Sequence, residues 1–141
     1  GDGGGVTVNP VANTGSAHVL TEFKAKDLTS GTTYDLMGSP VVPYINGRQY
    51  IISGKITDVD GDISSSSTPI SIDWVVVGDP TDKGTTNYYL NSAGGVLNAD
   101  GSFTYTFTGT EPEKYQESES MYMKDKAGNK SNVITITVSF N

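Results

Sequence analysis

The chain contains no cysteine. Disulfides, thiolate metal centres and a cysteine nucleophile are therefore excluded. Compartment stays open on this point, because oxidising surroundings permit disulfides without requiring them. There is one histidine, His18. A lone imidazole cannot build a histidine-rich metal centre or a convincing Ser-His triad, and it reads as a surface strand residue. Basic side chains are scarce: 9 Lys and Arg stand against 16 Asp and Glu, for a formal net charge of −7. Such a surface repels phosphate backbones and anionic lipid, so nucleic acid is not an expected partner. No apolar run approaches the roughly 18 residues of a membrane span. No useful stretch has a 3.6-residue period, and no repeat of about 20–50 residues is visible. Ser64 to Ser67 lacks a nucleophile-elbow pattern, and the Gly-rich stretches lack the strand-to-helix context of a phosphate loop.

What remains is the pattern of a β protein. At 141 residues one domain is the default, and a chain of this size buries roughly 68% of its unfolded surface without needing staples. The clearest stretch is the last. Ile134, Ile136, Val138 and Phe140 alternate with Thr135, Thr137 and Ser139, which places the apolar set on one side of a strand. Asp125 to Asn129 supplies residues that tolerate positive φ, the turn of a closing hairpin. Upstream, residues 17–26 alternate, with Ala17, Val19, Thr21, Phe23 and Ala25 expected on one face and His18, Leu20, Glu22 and Lys24 on the other. Thr33 to Met37 reads as a return strand, broken at Gly38-Ser39-Pro40 and Pro43. Residues 48–57 put Tyr50, Ile52, Gly54 and Ile56 on one face, and Ile70, Ile72, Trp74 and Val76 do the same in the next strand. Residues 78–84 read as a polar loop, Tyr88 to Leu90 as a short strand, 103–108 as another, and 111–117 as an acidic loop. Gly1 to Gly5 is a flexible leader, either a bare start or the tether that follows an acylated cysteine in surface lipoproteins. Residues 6–141 then form the domain, with 6–46 (including a short edge strand at Val6 to Val8) as an N-terminal extension.

Three stretches resemble bacterial immunoglobulin-like and polycystic-kidney-disease-like modules. These are residues 52–76 (ISGKITDVDGDISSSSTPISIDWVV), residues 101–107 (GSFTYTF) and residues 121–138 (MYMKDKAGNKSNVITITV). The resemblance covers about residues 46–141. It implies an all-β, two-sheet sandwich of about seven to nine antiparallel strands, with Trp74 in the core beside Ile52, Phe103, Phe107 and Ile136. It also implies a non-catalytic spacer or interaction module outside the cytoplasm, at the cell surface or in the periplasm. The expected form is a monomer, lipid-anchored upstream of residue 1, with a protein or glycan partner.

Two constellations bear on ligands. In an immunoglobulin topology the loops holding Asp58, Asp60 and Asp62, Asp100, and Asp125 with Asn129 converge at one pole, which could supply the six to eight oxygens calcium needs. The competing role is local: Asp and Asn in turns cap their own backbone amides. Tyrosines form the second set. Tyr88, Tyr89 and Tyr115 are the candidates for stacking on a sugar ring or a partner protein, against ordinary β-propensity. Adjacent Tyr88 and Tyr89 must point to opposite faces of a strand. Glu111, Glu113, Glu117 and Glu119 lie in a run read as a solvated loop rather than as a glycosidase acid pair.

Overall fold

A computed structural model describes residues 18–57, 63–64 and 68–141. The fold is an all-β sandwich of two five-stranded sheets. The strands are β1 (Leu20–Asp27), β2 (Thr33–Asp35), β3 (Val41–Tyr44), β4 (Gln49–Ile56), β5 (Ile70–Val76), β6 (Asp79–Tyr88), β7 (Val96–Leu97), β8 (Ser102–Thr108), β9 (Tyr115–Met123) and β10 (Ile134–Phe140). One sheet runs β2-β1-β4-β8-β7 and the other β3-β10-β9-β5-β6. A single 3-10 turn, Leu36–Gly38, is the only helical element among the described residues, and no helix there is long and apolar enough to cross a membrane. The proposed strand at Val6 to Val8 and most of the loop between β4 and β5 lie outside the described residues.

The period-two strands close over one interior. From one sheet, Tyr50, Ile52 and Ile56 of β4 and Phe103 of β8 are buried; from the other, Ile70 and Ile72 of β5, Met121 and Met123 of β9, and Ile134, Ile136 and Val138 of β10. Gly54 sits among them for a steric reason. A Cβ there would come within 2.6 Å of Phe103 and 3.1 Å of Phe23, so its absence lets those two rings close to 6.1 Å between centroids. The sheets are also tied by one hydroxyl. Tyr50 Oη of β4 donates to the Pro43 carbonyl (2.9 Å) and accepts from the Ile45 amide (2.8 Å), both at or beside β3 in the opposite sheet.

Several expectations need correction, each for a physical reason. In β1 the expected faces are partly reversed: Leu20 is fully buried and Val19 is 40% exposed. A β-bulge between Thr21 and Lys24 places Glu22 at φ +54°. The extra residue shifts the alternation by one, so Leu20 and Phe23 share the inner face. Residues 78–84 are largely strand, not loop, because β6 begins at Asp79. Residues 89 and 90, expected to extend a short strand with Tyr88, lie beyond its end. The return strand expected through Met37 stops at Asp35, whose carboxylate accepts from the Met37 amide and caps the 3-10 turn. Pro43 does not break a strand. It lies in β3, which borders its sheet and pairs in parallel with β10, where a missing N–H is tolerated. His18 is not a surface residue. It is 4% exposed, with Nε2 2.9 Å from the Met123 carbonyl oxygen and Nδ1 3.9 Å from the Asp125 carboxylate.

Candidate functional site: a groove between the sheets

Strand β9 carries the site. Tyr115, Glu117, Glu119 and Met121 are two residues apart and share its inner face; the intervening Gln116, Ser118 and Ser120 face outward. Glu117 and Glu119 are each only 7% exposed. Across the ladder Glu119 is flanked by Trp74 and Ile136, and Glu117 by Val76 and Val138. Two carboxyls therefore sit inside a sandwich among apolar neighbours. The loop read over residues 111–117 therefore ends at Lys114, where β9 takes over, and of the four glutamates read as a solvated run only Glu117 and Glu119 turn inward.

The interior does not close around them. A cavity of about 360 Å³ lies between the sheets, lined on one side by Trp74, Tyr115, Glu117, Glu119 and Met121 and on the other by Ile52, Tyr105 and Phe107, with Tyr44, Tyr88 and Phe140 along its length. That volume falls in the range of about 300–1,000 Å³ typical of small-ligand sites. The aromatic wall is ordered by ring contacts. Tyr88 stacks on Tyr105 (5.6 Å), Tyr44 packs on Phe107 (4.8 Å), and Tyr115 packs on Phe140 (4.8 Å). Tyr115 Oη donates to Glu111 at 3.2 Å, bringing a third carboxylate to the mouth.

Trp74, expected in the core, is half-buried at this groove. Its partner across the ladder is Gly84 of β6, and a Cβ there would come within 2.7 Å of the indole; the missing side chain leaves room for the ring. Phe107 is likewise partly buried, whereas Ile52, Phe103 and Ile136 are almost fully enclosed. Of the candidate tyrosines, Tyr88 and Tyr115 meet in the groove. Tyr89 is 39% exposed and lines a separate shallow depression with Ser92 and Thr108.

Burial dominates the electrostatics. Loss of water around Glu119, then its hydrogen bond to and repulsion by Glu117, push its carboxyl far above the ordinary value of 4.5, to about 9. At neutral pH the pair therefore holds a proton between its two carboxyls. Burial also raises the phenols of Tyr44, Tyr88 and Tyr105, and that of Tyr115 to about 12. These rings stay neutral throughout the physiological range. Among the described residues, no Lys, Arg or His lines the cavity.

The acidic pole behaves differently. Asp125 Oδ1 accepts from the Asn129 backbone amide (2.8 Å) and Oδ2 from the Asn129 side chain (3.1 Å), inside the hairpin turn. Burial works against ionisation there, but the Asn129 hydrogen bonds and nearby His18 outweigh it and hold the carboxyl low. Asp100 accepts from the hydroxyl and amide of Ser102, which likewise keeps it low. Asp58, Asp60 and Asp62 lie outside the described residues. Among those described, no three His, Asp or Glu side chains come together as metal ligands.

The inner-face carboxyls were the residues missed from sequence. The signal was present: Tyr115, Glu117, Glu119, Met121 and Met123 keep one parity with the closing hairpin, and extending that parity upstream would have turned both glutamates inward.

No family model matches the chain, and no curated protein matches it. Among solved structures it is similar to the CooA pilin subunit from enterotoxigenic Escherichia coli. The match spans 84% of this chain and 97% of that one, at 12% identity and a TM-score of 0.35. A likeness at this level assigns neither ancestry nor function.

Proposed function

We propose that this protein is a non-catalytic binding module that takes its ligand in the groove between its sheets. One observation carries the reading: the sandwich leaves a cavity of about 360 Å³ walled by aromatic rings and two inward carboxyls, where a pure spacer gains stability by filling that space with aliphatic side chains. The two carboxyls stand side by side on one face of a single strand, whereas a glycosidase acid pair flanks the scissile bond from two sides, which favours binding over glycoside cleavage. Display outside the cytoplasm, at a cell surface and behind a lipid anchor, belongs to the same reading; it is supported by the resemblance of residues 46–141 to bacterial immunoglobulin-like modules. A glycan is the second reading, favoured by Trp74, Tyr88 and Tyr115 lying on one groove beside hydrogen-bonding carboxyls.

Trp74 supplies the reporter. The intact protein is titrated with soluble oligosaccharides and small organic amines while its indole emission is followed, and is applied to a glycan array. A saturable emission change that disappears in Tyr88→Ala supports the groove. If no probe of either class alters the emission and the array is blank, the module is a spacer and the reading fails.

A further inference from the structure

Resting on the groove reading above, we propose that the ligand group held between the sheets is a primary alkylammonium, seated against Glu117 and Glu119 with its carbon chain along Trp74 and Tyr88. The first observation is burial without compensation. Each carboxyl is more than nine-tenths buried and faces the cavity. Beyond their contact with one another, neither is given a donor or a cation by any described residue. The chain's described ion pairs lie elsewhere, at Arg48–Asp27 and His18–Asp125, and Lys130 sits over the outward Tyr122 ring at 4.3 Å. Buried carboxyls are ordinarily paired or neutralised, so this pair has acceptor capacity that the fold leaves unused.

The second observation is independent of charge. Indole and phenol faces attract cations through their ring quadrupoles, most strongly where water is excluded, and both ring types line this cavity. A neutral sugar would use the rings and hydroxyl acceptors but leave a shared proton in place. A primary ammonium carries three N–H donors, matches the carboxyl oxygens and replaces that proton with a fixed positive charge. The surrounding titratable groups are Tyr44, Tyr88, Tyr105, Tyr115 and Glu111. The phenols are uncharged over the range concerned, and Glu111 adds to the attraction for a cation. The net charge of −7 favours the same encounter.

The step is a proton exchange: the ammonium enters, the carboxyl O–H of the pair passes its proton to water or buffer, and no bond between heavy atoms forms or breaks. The ammonium has two sources, a free small amine or a lysine side chain of a partner protein. Cadaverine represents the first and Nα-acetyl-lysine methylamide the second; 1,5-pentanediol is the uncharged control and tetramethylammonium a cation without N–H donors. Calorimetry in buffers of different ionisation enthalpy and Trp74 emission are read on the intact protein. Cadaverine or the lysine amide should bind, with release of a proton, and affinity should rise from about pH 6 to about pH 8.5 as the pair gives up its proton. Glu117→Gln and Glu119→Gln should each weaken binding about tenfold or more while circular dichroism stays unchanged; if either variant misfolds, the proton count and pH profile of the native protein decide. Pentanediol or an oligosaccharide binding as well as the amines, with no proton released, overturns the cation inference and leaves the groove reading standing. Silence from every probe overturns both. Binding by the lysine amide but not cadaverine assigns the protein source, and the reverse assigns the free amine; tetramethylammonium binding as tightly as cadaverine removes the N–H requirement and with it the primary-amine assignment.

Discussion

The two ends of the interior are built on the same strands and differ in kind. At one end Leu20, Phe23, Phe103, Ile70, Met123 and Ile134 are enclosed, with Gly54 cut back so that two phenyl rings can meet. At the other, strand β9 turns Glu117 and Glu119 inward and the sheets stand apart around a cavity. Met121 and Met123 continue the alternation that the two glutamates begin. One strand thus serves a dry half and a polar half with no break in geometry. Alternation decides which side chains point inward; what the inside is for depends on what fills it.

The largest test of this contrast is at the dry end. Phe103→Ala removes a ring that is 1% exposed and should cost about 3–5 kcal/mol, enough to unfold much of a marginally stable domain. Urea denaturation measures it, and a loss below about 1 kcal/mol would mean that this end is no better packed than the groove. Glu119→Gln should act in the opposite direction, stabilising at pH 8 by on the order of 1–3 kcal/mol, because the amide needs no proton uptake on folding. Its pH dependence follows from the proton count. The folded chain keeps a proton on Glu119 that the unfolded chain sheds above about 4.5. Stability from this group is therefore complete below that pH and declines as pH rises toward about 9. Melting points taken across that window should slope downward in the native protein and flatten in Glu119→Gln; parallel slopes would remove the buried pair as their cause. Trp74→Ala probes the wall of the groove. Because its ring is half-buried, it should cost about 1–2 kcal/mol, less than a fully enclosed aromatic, as judged by the same denaturation series. Calcium should have the smallest effect. Asp100 and Asp125 already have partners, so melts with calcium and with a chelator should coincide, and a shift of several degrees would place the ion on the loop of Asp58, Asp60 and Asp62.

The sandwich itself was legible because long apolar alternations survive wherever one face is buried. The β4, β5, β8 and β10 patterns needed no tertiary information. Four features did. The bulge at Glu22 inverts parity in β1, and nothing about a glutamate advertises a φ of +54°. Strand β6 opens with Asp79-Pro80-Thr81-Asp82, a composition that reads as loop but suits a strand bordered by solvent. Pro43 reads as a breaker until β3 is known to be the outermost strand of its sheet. Glu117 and Glu119 were assigned to water by their charge, since carboxyls are rarely buried without a partner. That last misreading marks the candidate site, and a site of this kind is expected where local preference and observed placement disagree.

Strand β6 has one more implication, for crowding. It forms the outer border of its sheet, and its first residues are all exposed. Pro80 offers no amide hydrogen, while Asp82 and Lys83 would have to surrender their hydration to an incoming chain. Neighbouring copies packed at high local density therefore meet a border that is a poor template for cross-molecular ladders, and one common route to fibrous aggregation is obstructed by sequence alone.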